Sequence, residues 1–216
     1  MVNPMVWIRA VLSVIVASLL TVAFAKDRPV QIEGYVPHNG DIVFQTSASQ
    51  LGPALEIATG SKITHCGIVL IDSDTTFVYE AVGPVRKITL EEWITRGVEN
   101  KFAVKRLNAA DSTLLPETLD KMRAVFAKYL GLEYDIQFKW SDDRFYCSEL
   151  VYKMFKEGAD IEIGEFARFG DFKLDDPLVR FWIEKYFPDG PNMKEKVVSP
   201  ISIYNDTTLV TVHSTY

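Results

Sequence analysis

Two apolar runs separated by a short polar turn constrain the fold of this chain more than any other feature of its sequence. The first, KITHCGIVLID at residues 62–72, is rich in β-branched residues, and the second, TTFVYEAV at residues 75–82, follows directly after the turn-like DSD. Runs of this length and composition, joined by a short polar segment, are typical of β-hairpins. The sequence therefore predicts an antiparallel pair of strands, around which the rest of the fold has to be built.

Helical and extended patterns share the rest of the chain. Apolar residues recur at helical spacing between Pro116 and Gly131 and again from Cys147 to Gly158. The segment Thr89–Glu92 has the spacing of a capping box, which predicts a short helix. The mixture predicts an α+β fold, in which helices pack on an antiparallel sheet. The other predicted elements are strands in GDIVFQ, KFAVKRL and TLVTVHS and helices in PALEIATG and LVRFWIEKYF.

The N-terminal segment has the layout of a secretory signal peptide. Arg9 precedes the apolar run AVLSVIVASLL, and the small-residue pattern Ala23-Phe24-Ala25 precedes Lys26. The apolar run is short for a membrane span, so cleavage after Ala25 is predicted, with a retained membrane anchor as the alternative. Residues 26–216 are then predicted to form a single domain without a stable membrane span, in the periplasm or outside the cell.

Charge and motifs exclude several classes of function. The formal net charge of −6 becomes −7 when the signal segment with its Arg9 is removed, which argues against binding to nucleic acid or anionic membranes. The chain has neither an H-E-x-x-H motif nor paired C-x-x-C motifs, so no metal and no cofactor is predicted.

A cysteine at a helix start, with a histidine held in a strand, points to nucleophilic catalysis. The helix dipole and the unpaired N–H groups of the first turn favour the thiolate of Cys147 and suit an oxyanion. Of the three histidines, His65 is the one inside a regular strand, while His38 and His213 lie in a turn and near the C-terminus. A satisfied polar residue is the alternative interpretation of His65.

An acid that orients the histidine is expected on the paired strand. Glu80 lies within FVYEAV, and the hairpin would bring it close to His65. Its alternative is an outward-facing position on an edge strand. Asp41, in GDIVF, is a second acidic candidate, although an Asp after Gly at a strand start is more often a turn residue.

The second cysteine, Cys66, is the neighbour of His65 in the same strand. Side chains alternate between the faces of a strand, so His65 and Cys66 are expected on opposite faces. If His65 faces Cys147, Cys66 is expected to point away as a small buried residue. The alternative is a disulfide between Cys66 and Cys147, which an exported protein permits.

Several segments, in order, resemble one family. They are GDIVFQ, THCGIVLI, FVYEAVGPV, YLGLEYD, FKWSDDRFYCSELVY and VVSP, and they resemble the YiiX-like branch of the NlpC-type papain-like cysteine hydrolases. The resemblance implies a circularly permuted papain-like fold in which Cys147 is the nucleophile, His65 the base and Glu80 the orienting acid. It also implies a site wall or substrate-binding surface that includes Tyr134, Gln45 and Tyr146, with no more specific role for Gln45.

The resemblance further implies an exported cysteine hydrolase that acts through an acyl-enzyme. By analogy its substrate is an amide bond in the peptide stems of peptidoglycan. A lipid- or acyl-directed amidase or acyltransferase of the same fold is the alternative enzyme. A catalytically silent module that binds the cell wall is the alternative outside enzymes.

Overall fold

A computed structural model describes residues 32–216, so the predicted signal peptide lies outside the described residues. Six strands form one antiparallel sheet in the order β4-β3-β2-β1-β5-β8, and two short strands, β6 and β7, pair separately. The strands are β1 (Ile42–Ser47), β2 (His65–Asp72), β3 (Thr75–Ala81), β4 (Val85–Thr89), β5 (Gly97–Leu107), β6 (Phe166–Arg168), β7 (Lys196–Val198) and β8 (Leu209–Ser214).

Helices cover the sheet and connect its strands. They are α1 (Gly52–Thr59), α2 (Leu90–Thr95), α3 (Ala110–Thr113), α4 (Pro116–Tyr129), α5 (Cys147–Ala159), α6 (Pro177–Tyr186) and α7 (Pro200–Tyr204), with one 3-10 turn at Phe169–Asp171. The predicted capping box is present, since the Thr89 hydroxyl accepts from the Glu92 backbone N–H and the Glu92 carboxylate accepts from the Thr89 N–H. Within residues 32–216, every helix is too short or too polar to cross a bilayer.

The predicted hairpin is confirmed. Strand β2 pairs with β3 from Ile68 opposite Tyr79 to Asp72 opposite Thr75, and β4 then extends the sheet beyond β3. On its other side β2 pairs with β1, which places Gln45 directly opposite His65. Strand β2 is therefore an inner strand of the sheet, which explains its nearly continuous apolar sequence.

Both faces of the sheet are buried. Alternate residues of β2 divide between two apolar clusters: Ile68 and Leu70 pack toward α4 and α5, whereas Val69 packs on the opposite face with Trp93 of α2. The α+β class, with helices packed on an antiparallel sheet, is confirmed. Strand β5 begins at Gly97, four residues before the predicted KFAVKRL run. It begins this early because Gly97 already pairs with Ser47 of β1.

Candidate active site

Cys147 is the first residue of α5. Tyr146 precedes the helix in an extended conformation, and within the described residues its side chain makes no capping hydrogen bond to the first turn. The N–H groups of that turn therefore remain available to a bound group. Only 4% of Cys147 is exposed, and both cysteines are free thiols, so the alternative of a disulfide is wrong for the described structure.

His65 is the first residue of β2 and is held on several sides. Its ring is 5% exposed and stacks on the indole of Trp93, with centroids 6.0 Å apart and planes 25° from parallel. Its Nε2 lies 2.7 Å from Oε2 of Glu80. Because Nε2 is occupied by the carboxylate, Nδ1 is the nitrogen left to exchange a proton with Cys147, whose thiol raises the pKa of His65.

Cys66 does not point away from Cys147, and that prediction is wrong. The Cys66 thiol lies close enough to Cys147 to lower the pKa of Cys147, and the two residues pack in the same cluster. The alternation itself holds, because Cys66 packs in the α5 layer while His65 stacks on Trp93 across the sheet. The expectation failed because β3 pairs with β2 only from Ile68 onward. At His65 and Cys66 this pairing is absent, so the Cys147 sulfur can approach side chains from both faces of the sheet.

The electrostatics of these groups favour a thiolate beside an imidazolium. The hydrogen bond from Cys66 lowers the pKa of Cys147 well below its ordinary value; burial opposes this change, and the hydrogen bond and charge of His65 reinforce it. Burial lowers the pKa of His65, but its bonds to Cys147 and Glu80 outweigh burial and raise the pKa to about 9. Burial raises the pKa of Cys66, so this second thiol remains protonated and can donate.

Glu80 is fully buried, which excludes the alternative of an outward-facing position on an edge strand. Its strand lies between β2 and β4, and its carboxylate accepts hydrogen bonds from His65 and from two arginines. Nη2 of Arg96 is 2.7 Å from Oε1 and 2.6 Å from Oε2, while Nε of Arg86 is 3.2 Å from Oε1. Burial raises the pKa of Glu80, but His65 and Arg96 outweigh burial and lower it to about 2.

Asp41 is not part of this cluster. It is buried just before β1, where Nε of Arg106 donates to it at 2.6 Å and the Tyr35 hydroxyl donates at 2.8 Å. Gln45, at the other end of the same strand, is opposite His65 and packs against Gly97. Its Oε1 is buried without a hydrogen-bond partner among residues 32–216.

An apolar cavity of about 840 Å³, measured to its open mouth, begins at Cys147. Tyr134 and Tyr146 line it together with Cys147, whereas Gln45 is not part of its lining. Burial and the nearby Cys147 raise the pKa of the Tyr134 hydroxyl, so it remains a neutral donor. Further from the thiol the lining is almost entirely aliphatic and aromatic, including Leu55, Phe138, Phe172, Val179 and Ile183.

Three residues beside the predicted trio were missed by sequence reasoning. Trp93 and Arg96 belong to the predicted capping-box helix and its end, and Arg86 is in the unpredicted strand β4. The capping box indicated a helix but not its position over His65. The alternation of β4 could have indicated Arg86, because a residue opposite Glu80 shares its face.

Two relatives from Escherichia coli are similar over most of their length. The protein named "Uncharacterized protein YiiX", from strain K12, is 35% identical over 176 residues, which cover 82% of this chain and 86% of the relative. A crystal structure described as metalloprotein yiiX, from strain O157:H7, has a TM-score of 0.79 and 35% identity, and the match covers 84% of this chain and 99% of that one.

That relative is described as a metalloprotein, and a metal centre in this chain would require a cluster of ligating side chains. Within residues 32–216, no group of three or more His, Cys, Asp and Glu side chains is arranged to hold a metal ion. At the cluster itself, Nε2 of His65 is bonded to Glu80, and both oxygens of Glu80 are bonded to Arg96. The residues described here do not fit a metal centre.

The family is shown by a match that covers most of the chain. A family model described as "Permuted papain-like amidase enzyme, YaeF/YiiX, C92 family" matches residues 36–213. The match includes the strand that carries His65, the strand that carries Glu80 and the helix that begins at Cys147, in that order. The chain therefore belongs to the YaeF/YiiX family of permuted papain-like amidases.

Proposed function

We propose that this chain is a cysteine amidase in which Cys147 is the nucleophile, His65 the acid and base, and Glu80 the residue that orients His65. Family membership supports amidase activity in general. The observation that carries the proposed mechanism is the 2.7 Å hydrogen bond between His65 and Glu80, beside a Cys147 thiol that raises the pKa of His65 and lines an apolar cavity. A nucleophile, a base and an orienting third group in this order satisfy the requirements of thiol catalysis.

In the proposed reaction, the Cys147 thiolate attacks the amide carbonyl carbon and forms a tetrahedral intermediate. The uncapped N–H groups of the first turn of α5 donate to the oxyanion, and the positive end of the helix stabilises it. The proton on Nδ1 of His65 passes to the leaving amine as the C–N bond breaks. Water then attacks the acyl-enzyme, His65 accepts its proton, and the thiolate is regenerated with release of the acid.

By family analogy the substrate is an amide bond in the peptide stems of peptidoglycan. The proposed enzyme is exported to the periplasm or secreted. A second candidate is an amide or ester of a long acyl chain, and the apolar lining of the cavity favours it. Each methylene buried in such a cavity stabilises the complex by about 0.8 kcal/mol, whereas a charged stem peptide finds few polar partners there.

The two candidates are separated by one panel of substrates. The protein lacking residues 1–25 is incubated with purified muropeptides and with N-acyl amino acids of increasing chain length, and products are identified by mass spectrometry. The conservative variant Cys147→Ser is the control and should lose activity on every substrate. Turnover that increases with chain length supports the acyl candidate, and turnover of muropeptides supports the cell-wall candidate. Binding without any turnover would favour the silent module and would refute the amidase.

A further inference from the structure

Arg96 is placed where it can control the orientation of Glu80. It directly follows α2, and its Nη2 contacts both carboxylate oxygens, at 2.6 and 2.7 Å. One of these oxygens, Oε2, also receives His65 Nε2 at 2.7 Å. Oε2 of Glu80 therefore accepts hydrogen bonds from both Arg96 and His65.

Arg86 contacts the same carboxylate much less closely. Its side chain is 40% exposed and its Nε lies 3.2 Å from Oε1, the oxygen that His65 does not use. Arg96 is 32% exposed, and its Nε is buried without a hydrogen-bond partner among residues 32–216. The bonds to Glu80 therefore hold the Arg96 side chain in place. Arg86, which makes one longer bond to the same carboxylate, is the residue for comparison.

A glutamate carboxylate can rotate about its last torsion unless both oxygens are held. The cation that contacts both oxygens of Glu80 fixes the carboxylate plane and keeps Oε2 toward His65. Two effects of Arg96 on His65 oppose each other. Its positive charge disfavours the imidazolium, but the orientation it imposes on Glu80 favours the imidazolium. The direction of change after its removal shows which effect dominates.

We propose that Arg96 is a positioning residue for the reaction: it holds the Glu80 carboxylate in the orientation that receives Nε2–H of His65, and so fixes the imidazole that serves Cys147. This inference rests on the proposed function. The other titratable or charged groups near His65 are Cys66, Cys147, Tyr134 and Arg86, and all four stay unchanged in the Arg96 variants.

The test compares Arg96→Gln with Arg86→Gln in the chain lacking residues 1–25. The Cys147 thiolate is followed by its ultraviolet absorbance as a function of pH, with Cys147→Ser subtracted, and this readout requires no substrate. Steady-state rates are measured on the best amide found for the unsubstituted protein. For Arg96→Gln we expect kcat to fall at least about tenfold with KM changed less than about twofold, because orientation is lost in the transition state. For Arg86→Gln, which loses only the longer bond to Oε1, we expect kcat to fall severalfold less than in Arg96→Gln.

The pH readout distinguishes positioning from simple charge removal. If Arg96 positions Glu80, the removal of Arg96 weakens the contact between Glu80 and His65 and lowers the pKa of His65. The pH at which the rate falls on the alkaline side then decreases by about one unit. An alkaline limb that moves up would show that Glu80 keeps its place without Arg96, and would overturn the proposal. Rates and limb equal to those of Arg86→Gln would overturn it as well.

A second pair of variants covers the case in which Arg96→Gln does not fold. Arg96→Lys and Arg86→Lys retain both charges, but the ammonium is a single point charge that lacks the planar guanidinium. We expect kcat of Arg96→Lys to be at least about fivefold below that of Arg86→Lys, and equal values would overturn the proposal. A failure of the amidase assignment is distinct, since it would appear as an unsubstituted protein without turnover whose thiolate still responds to Arg96.

Discussion

At the scale of single residues, the Cys66 thiol, the Cys66 backbone and the His65 imidazole together lower the pKa of Cys147. These donors compensate for a position that is almost fully buried, which by itself would favour the neutral thiol. In the proposed mechanism these partners keep Cys147 reactive, and each partner can be tested separately.

The pH dependence of hydrolysis follows from the pKa of His65, which its bonds to Cys147 and Glu80 raise to about 9. The proton needed by the leaving amine is present on the imidazole below this pH and is lost above it. We therefore expect kcat/KM to be nearly constant around neutral pH and to fall as pH rises through about 9. Rate profiles from pH 6 to 10.5 check this, and an alkaline limb near the ordinary histidine pKa of about 6.5 would contradict it.

Removal of the Cys66 thiol should change the titration of Cys147. In Cys66→Ala the donor is lost, so we expect the pKa of Cys147 to rise and its alkylation by iodoacetamide at pH 6 to slow severalfold. Cys66→Ser keeps a hydroxyl donor and is the matched control. Mass spectrometry of the peptide that contains Cys147 measures the rate, and equal rates in the two variants would contradict the assigned role of the thiol.

The juxtaposition of Glu80 and His65 was predictable because a hairpin places neighbouring strands at a known spacing. The closeness of Cys66 to Cys147 was not, because alternation describes a fully paired strand and the pairing of β2 with β3 stops short of Cys66. Arg96 was unpredictable for another reason, since the direction of α2 over the sheet depends on packing that no short pattern encodes.

At the scale of secondary structure elements, α5, the helix that begins at Cys147, packs closely against α4 at Gly158. A Cβ atom added at Gly158 would lie 2.6 Å from Cγ and 2.8 Å from Cα of Met122. The absence of a side chain at Gly158 therefore lets the two helix backbones approach closely. The backbone atoms of Met122 cannot move aside as the end of a flexible side chain could.

Gly158→Ala should therefore destabilise the protein, although alanine is the better helix former. Overpacking costs about 1–3 kcal/mol, which outweighs the gain of about 1 kcal/mol in helix propensity at most positions. Gly83→Ala is the control, because a Cβ there meets no atom of the described residues within 4 Å. Urea denaturation compares the two, and an unfolding free energy for Gly158→Ala at or above that of Gly83→Ala would contradict the packing argument.

The long elements were predictable because each repeats its pattern over several turns or strand residues. Helices α4 and α5 match their apolar spacing to within two residues at each end. Strands β4, β6 and β7 have only three to five residues, with charged residues among them, so no run was long enough to indicate them. These short strands form because each has a neighbouring strand that supplies backbone hydrogen bonds.

At the scale of the whole molecule, segments from distant parts of the sequence line one apolar cavity. Its wall includes Leu51 and Ala58 from the α1 region, Trp182 of α6 and Pro200 of α7, together with Cys147. No single stretch of sequence contains the cavity, which explains why its apolar character could not be predicted. The fold class was predictable because it follows from the elements and their order.

Filling the cavity should affect long substrates selectively. Ala58→Trp places an indole in the lining, so we expect kcat/KM for long-chain acyl amides to fall at least about tenfold, while short-chain amides change little. Ala124→Trp, on the exposed face of α4, is the matched control. An equal loss for short and long chains in Ala58→Trp, measured by product formation, would contradict a role of the cavity in chain binding.

Export is also a property of the whole molecule, and it stays a prediction. The first 25 residues have the layout of a cleaved signal, so we expect the mature N-terminus to be Lys26. Fractionation and N-terminal sequencing of the protein made in a bacterial host check this. A chain that retains Met1 and sediments with membranes would show the anchored alternative.

The order of the segments along the chain has a consequence for biosynthesis. His65 and Glu80 leave the ribosome well before Cys147, which can join them only after α4 and the following loop have also been made. A nascent or truncated polypeptide that ends before α5 therefore lacks the attacking atom altogether. In the proposed mechanism, α5 completes the catalytic trio, and the part of the cavity wall between Phe169 and Pro200 is synthesised only after it.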